Sequence, residues 1–463
     1  MERKQLRERF ASRAGFILMA AGCAIGLGNV WRFSYIAGQY GGGYFVLLYL
    51  LFLVILGFPV MVMELAVGRA GRSTFPGAFR KLRNPECRFR WHRPVYVLFC
   101  GNLILLMFYT VVTGWLLLYA WGFCRGEFLT ADTADCAAIF QKMLDDPVKQ
   151  TVGMLAGILV SAVVCAGGVR QTLEKAVKFM MTGLFVLLAL LVIQALRLPR
   201  SAEGLRFFLA PDWGRFVGNG VLETVHAAMA QAFFTLSLGI GSIAVCGSYT
   251  GREESLCKES CWIIALDTVV AIAAGLVIFP ACAAFGVAPD AGPSLIFITL
   301  PNVFHNMAGG MFRGTLFFVF LAIAALSTLV AVFENLVAFG MDEWRWSRGK
   351  SCLVFSVALA LLSLPCVLGF NLWKNFEPLG KGSNVLDLED FVVSDNLLPL
   401  GALYITVFTL SRHGWGRENF YAEVNAGKGW KLPLYFAFYM RRVLPVLILL
   451  IWVIGLVRRF RLV

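Results

Sequence analysis

Residues 15–37 read GFILMAAGCAIGLGNVWRFSYIA, with Arg32 as the single charge. The stretch is long enough to cross a bilayer as a helix, which takes about 20 residues. Its middle argues against an unbroken helix. Gly22-Cys23-Ala24-Ile25-Gly26-Leu27-Gly28-Asn29 carries three glycines, and each weakens a helix by about 1 kcal/mol relative to Ala. A second apolar stretch, 220–248, holds Phe234-Thr235-Leu236-Ser237-Leu238-Gly239-Ile240-Gly241-Ser242, with two glycines. Irregular backbone at membrane depth survives only inside protein or beside a cavity. Small residues also let helices pack closely, which would explain one such stretch. Two of them, five spans apart, are what two inverted five-helix repeats produce, each opening with a discontinuous helix and sharing a site between them.

Composition fixes the class. Hydrophobic residues make up 59% of the 463 and charged residues 15%, with a mean hydropathy of +0.74. Soluble domains run at about 45–50% and 25%. A soluble enzyme, a disordered chain and a coiled coil are excluded, and a polytopic membrane protein of about ten to twelve spans is expected. Spans are read at about 15–37, 43–68, 94–123, 151–168, 174–196, 220–248, 258–286, 310–341, 351–370, 388–411 and 435–457. The punctuated stretch 291–309, with Pro293, Pro301, Asn302, His305 and Asn306, reads as a membrane-dipping or capping hairpin.

The net charge of +13 reflects loop cations that orient the chain, not a nucleic-acid partner. With the N-terminus inside, 27 of the 41 Lys and Arg fall in inside segments and 13 outside, Arg32 lying within the first span. One misfit is the Arg458, Arg459, Arg461 tail, which eleven spans place outside. No cleavable leader is visible in the charged start, Met1 to Arg13, which runs straight into the first span. Most of the 12 Cys lie in apolar stretches as small hydrophobes. Cys124 and Cys136, flanking one polar loop, are the candidates for a disulfide. His92, His226, His305 and His413 show no metal-binding spacing.

The segment Gly15 to Phe33 resembles the first helix of the neurotransmitter:sodium symporters. So do GGGYFVLLYLLFLVILGFPVMVMELAVGR (41–69), QAFFTLSLGIGS (231–242) and FITLPNVFHNMAGG (297–310). The resemblance runs from about Arg7 to the eleventh span and points to the bacterial eleven-helix subgroup. It implies an all-α fold of the leucine-transporter type: a 5+5 inverted repeat with discontinuous helices 1 and 6, plus an eleventh helix. A bacterial leucine transporter of this family is the standing example of that architecture. The implied organisation is a cytoplasmic arm (1–14), a first repeat (15–196), an extracellular loop (197–219), a second repeat (220–411), a cytoplasmic loop (412–434) and a last helix with its tail (435–463). The implied activity is sodium-coupled uptake of an amino acid by alternating access, across the inner (cell) membrane.

Site residues follow from the same resemblance. Amides at Gly26-Leu27-Gly28 and the Tyr109 hydroxyl would hold a substrate carboxylate, because a half-helix N-terminus offers free N–H groups and positive potential. Carbonyls of Ala24, Phe234 and Thr235, with Ser237, would take the ammonium group. Cys23, Leu105, Phe234, Ile240, Thr328 and Val332 would line an apolar side-chain pocket, and Gly28 completes the set. Gly26 stands where amine transporters carry Asp, so a free α-carboxylate is required. Ile240 replaces a bulkier aromatic of some relatives, leaving room for Phe, Tyr or Trp. Sodium prefers several hard oxygens. One ion would use Ala24, Asn29, Thr235 and Asp267, the other Gly22, Ile25, Ala324, Ser327 and Thr328; Ser327 and Thr328 would otherwise bond back to their own helix. Asp267 falls where relatives carry Asn, near the chloride position of animal members, so its charge replaces chloride, which is not required. Arg32 with Asp390 and Arg7 with Asp342 match the outer and inner gate pairs, with Ser248 and Tyr249 beside the latter and Phe10 where relatives carry Trp. Glu64 and Glu334 read as structural acceptors for unwound backbone amides.

Other classes fit less well. An intramembrane enzyme lacks a paired nucleophile and base. A channel lacks charge or carbonyl rings, and a sodium-dependent sensor on the same scaffold is separated from a transporter by concentrative uptake. The expected partners are the amino acid and membrane lipid; the oligomeric state is left open.

Overall fold

A computed structural model describes residues 10–128, 133–286, 295–305 and 309–459, and among them every regular element is helical. In lipid the backbone must satisfy itself, and a helix does so within one segment. The first apolar stretch forms α1 (Arg13–Ala24) and α2 (Gly28–Gln39), which meet at 56°. Then follow α3 (Gly43–Gly71), α4 (His92–Cys124), α5 (Pro147–Ala166) and α6 (Val169–Leu196). The second broken stretch gives α7 (Val221–Thr235) and α8 (Ser242–Ser248). The remaining spans are α9 (Leu256–Phe285), α10 (Gly310–Glu343), α11 (Arg348–Leu368), α12 (Val385–Leu410) and α13 (Phe436–Val457).

Among the described residues nine helices are continuous and apolar enough to cross a membrane. The pair α1–α2 adds a tenth. The pair α7–α8 is the eleventh; its second half has only seven residues, too short to span alone. The spans α1–α6 and α7–α12 are the two inverted repeats, each opening on a broken helix, and α13 is appended. The molecule is a multi-pass membrane protein.

Several helices begin earlier than hydropathy suggests, because their first turns are polar. α5 starts at Pro147, where Asp146 Oδ1 accepts from the amides of Val148 and Lys149. α12 starts at Val385 behind a reciprocal cap between Asn384 and Asp387. Caps of this kind satisfy amides that have no partner within the helix.

Of the nine continuous spans among the described residues, α10 is the most enclosed and α13 the least. α10 packs on α4, α6 and α5, forming the scaffold against which α1 and α8 rest. Leu295–Thr299 and Leu300–His305, within the stretch expected as a hairpin, cover one end of α4. Tyr119 donates to the Phe297 carbonyl at 2.9 Å, and the Phe297 ring stacks on Phe140 and meets Trp115 edge-on. Residues 291–294 and 306–308 of that stretch lie outside the described residues. Cys124 is exposed and Cys136 is buried, and no disulfide joins the two.

Candidate functional site

The two breaks face each other, and side chains from the same span and from neighbouring helices satisfy their loose backbone groups. At the first, Ile25 is extended. The Gly26 amide donates to Asn29 Oδ1 at 2.9 Å, the Leu27 amide to the Tyr109 hydroxyl at 3.2 Å, and Gln231 Nε2 to the Gly28 carbonyl at 2.9 Å. Glycine is required at 26: a Cβ there would sit 2.5 Å from the Tyr109 oxygen and 2.6 Å from Thr328 Oγ1.

At the second break Gly239 and Gly241 have φ of +101° and +83°, backbone that side chains resist. Buried Glu64 accepts their amides on one oxygen, at 2.7 and 3.3 Å. Asn102 Nδ2 donates to the Ile240 carbonyl at 2.8 Å. Glu64 thus serves unwound amides, as its place in the sequence suggests. Glu334 does not: it accepts from the Tyr249 hydroxyl at 2.8 Å and from both terminal nitrogens of Arg348 at 2.8 and 3.0 Å. A guanidinium matches both carboxylate oxygens at once, which an amide cannot.

Two groups of oxygens lie at these breaks. Asn29 Nδ2 donates to Asp267 Oδ1 at 2.7 Å and to Thr235 Oγ1 at 2.9 Å, while Thr235 Oγ1 donates to Asp267 Oδ2 at 3.1 Å. All three side chains are buried. Tyr49 adds a longer contact to Asp267 Oδ2 at 3.3 Å. A cation here would require the Asn29 amide turned so that oxygen, not nitrogen, faces it. The second group joins α1 to α10. Thr328 Oγ1 lies 3.1 Å from the Gly22 carbonyl and 2.9 Å from that of Ile25. Ser327 Oγ bonds back to Ala324 at 2.8 Å and reaches Ile25 at 3.5 Å. Five hard oxygens therefore converge, a donor set that suits Na⁺.

Between the groups is a cavity of about 20 Å³, walled by Ala24, Gly26, Gly28, Leu105, Tyr109, Phe234, Ser237, Ile240 and Thr328, together with Val393 and Leu398. Cys23, Thr235 and Val332 are buried behind that wall rather than on it. Cys23 meets the site through its carbonyl, which accepts from Ser237 Oγ at 3.3 Å.

A second cavity, about 240 Å³, adjoins the first through Gly28, Tyr109 and Phe234 and adds Trp31, Arg32, Tyr35, Asp387 and Asp390. The Phe234 ring stands between the two, with the Arg32 guanidinium 4.2 Å from its centre. Arg32 and Asp390 share this cavity without forming an ion pair. The guanidinium is spent on the ring, and Asp390 accepts from Ser394 Oγ at 2.5 Å on its own helix.

At the opposite face, Asp342 accepts from the Thr74 amide at 2.6 Å and Ser73 Oγ at 3.1 Å. Arg7, its expected partner, lies outside the described residues. Phe10 meets Tyr249 edge-on, ring centres 5.7 Å apart, and the Ala11 amide donates to Glu174 at 2.6 Å, so the residues just before α1 are tied to the bundle. The site adjoins the larger cavity on one side, and at this opposite face the Phe10 ring packs on Phe16 and Tyr249.

Sequence reading passed over Tyr49, Asn102, Gln231, Ser242 and Asn335. Asn335 Nδ2 joins Asn102 Oδ1 at 3.0 Å and Ser242 Oγ at 2.8 Å, and Ser242 donates to Asn102 at 2.8 Å. Their signal was available: each is a polar residue in an otherwise apolar span, where polar groups bind another helix.

A helical membrane bundle with two broken helices, opposed around buried oxygens, defines a secondary transporter of the inverted-repeat class. The family model described as "Sodium:neurotransmitter symporter family" matches residues 7–142 and 126–462, and the chain belongs to this family. It is a sodium-dependent transporter, not an enzyme. It is 32% identical over 450 residues to the uncharacterized sodium-dependent transporter YhdH of Bacillus subtilis, covering 96% of each chain. An uncharacterized sodium-dependent transporter of Haemophilus influenzae is 30% identical, over 97% of this chain and 98% of its own. The crystal structure of MhsT in complex with L-phenylalanine superposes with a TM-score of 0.86 at 34% identity, covering 96% of this chain and 99% of that one.

Proposed function

We propose that the protein couples Na⁺ entry to uptake of a neutral, hydrophobic or aromatic L-amino acid, and that it does so without chloride. The observation that carries the reading is the facing pair of breaks. The Gly26–Gly28 amides and the Tyr109 hydroxyl suit a carboxylate. The Ala24 and Phe234 carbonyls with Ser237 suit an ammonium group. Leu105, Ile240, Val393 and Leu398 offer no charge to a side chain. The likeness to MhsT, solved with L-phenylalanine, supports the same substrate class.

Asn29, Thr235 and Asp267, with the Ala24 carbonyl, would hold the Na⁺ beside the carboxylate. Gly22, Ile25, Ala324, Ser327 and Thr328 would hold the second. An ionised Asp267 would supply a negative charge in that cluster, and chloride would only duplicate it. Phe234 and Arg32 form the barrier toward the larger cavity; Asp342 and the arm form the one toward the other face. Counted cations favour an N-terminus on the cytoplasmic side of the cell membrane.

The test is concentrative uptake in proteoliposomes. An inward Na⁺ gradient is expected to drive accumulation of L-phenylalanine, with or without chloride. Equal accumulation with K⁺ or choline in place of Na⁺ refutes the coupling.

A further inference from the structure

Glu389 is an acidic residue that none of the preceding chemistry uses. It sits in the first turns of α12 between Asp387 and Asp390, which line the larger cavity. Glu389 is not on that wall. Its side chain is buried, 6% exposed, and its Oε2 has no hydrogen-bond partner. Among the described residues no cation pairs with it.

The elements packed on these turns are α4, the end of α11 and the next turn of α12. From α11 the facing titratable group is the buried Cys366 thiol. α4 brings the Tyr109 phenol, which accepts the Leu27 amide; its charged residues, His92 and Arg93, are at its far end. On α12 itself the neighbours are Asp387 and Asp390, both of like sign. If the carboxylate is ionised, its Oε2 has given up water and gained no partner, an arrangement that costs free energy.

We propose that Glu389 is a proton-binding site that latches the wall of the larger cavity. Packed beside Cys366 it holds a proton. When the O–H bond breaks and the proton passes to water, the charged carboxylate leaves the packed site and carries the first turns of α12 with it. The chain provides the hinge. A widened helical turn, Phe391–Leu397, begins directly after Asp390, and helices bend at such turns. Asp387 and Asp390 ride on the segment that moves. Acid therefore holds the cavity wall as seen here, and rising pH frees it. One proton bound in one conformation only changes their ratio by up to about tenfold per pH unit.

Spin labels at Gln39→Cys and Lys381→Cys, both exposed positions, report this motion in the full chain in nanodiscs, with exposed Cys100 and Cys124 replaced. Between about pH 5 and pH 9 the wild type is expected to move from one distance population to a second. Glu389→Gln is expected to stay in the first throughout. Infrared difference spectra should show a carboxylic-acid C=O band in the wild type that Glu389→Gln loses. Glu389→Met, similar in length but without a polar atom, is expected to give the same flat response and guards against a folding defect of the Gln variant. A wild-type distribution unmoved by pH, a response of equal slope in both variants, or the absence of the acid band overturns the proposal.

Discussion

Replacing Thr328 by Val removes one oxygen and keeps the branched shape. The hydroxyl proton is shared between the carbonyls of Gly22 and Ile25, at 3.1 and 2.9 Å. Without Na⁺, losing that bond and leaving a buried carbonyl unserved costs about 2 kcal/mol of stability. With Na⁺ there is a second, separable loss. The proposed ion keeps the carbonyls of Gly22, Ile25 and Ala324 and the Ser327 hydroxyl but loses one of five oxygens. A charge-assisted contact is worth about 1.5–3 kcal/mol, which is about ten- to 150-fold in Na⁺ affinity. Thermal unfolding across a Na⁺ titration reads both, since the midpoint tracks affinity and the Na⁺-free value tracks the fold. Ser327→Ala is the control. Its hydroxyl bonds mainly to its own helix, at 2.8 Å to Ala324 against 3.5 Å to Ile25, so its Na⁺-free stability should fall less. A Thr328→Val midpoint within about twofold of wild type, with only the Na⁺-free stability lowered, would refute the ion site and leave Thr328 a structural residue.

Asp267→Ser leaves Asn29 and Thr235 without their shared acceptor and removes the buried charge; uptake by this variant is expected to become chloride-dependent, whereas a wild type that fails without chloride contradicts the charge argument. Decarboxylated analogues such as tyramine should compete with L-phenylalanine far more weakly than tyrosine does in an equilibrium binding assay, because the Gly26–Gly28 amides lose their anion; comparable competition overturns the substrate reading. Arg32→Ala takes the guanidinium off the Phe234 ring and is expected to increase labelling of a cysteine introduced in the small cavity from the larger one, while Asp342→Ala, which uncaps Thr74, should increase access from the opposite face; identical responses would sink the two-barrier assignment.

The carboxylates mark where sequence reading reaches its limit. Glu64 and Glu334 look alike in the chain, each a lone acid in an apolar span. One meets the amides of a glycine-rich break and the other a guanidinium from α11, because helix crossings choose the partner and no local pattern encodes them. Arg32 and Asp390 were legible as residues that approach one cavity. Their lack of an ion pair was not, since it depends on a ring from α7 and a serine one turn along α12. Thr235 and Val332 belong to the site's helices yet sit behind its wall, a matter of rotation about the helix axis that apolar spans do not signal.

By itself the sequence determined what is local or summed: a membrane chain, eleven spans and the two that break. Hydropathy and glycine act within a single segment, so they can be read along one. The tertiary structure alone decided how the oxygens meet. Asn29 stands 206 positions from Thr235 and 238 from Asp267. Only the crossing of α2, α7 and α9 brings those three side chains into one buried cluster, because contacts at that separation are set by how helices pack and not by which residues adjoin.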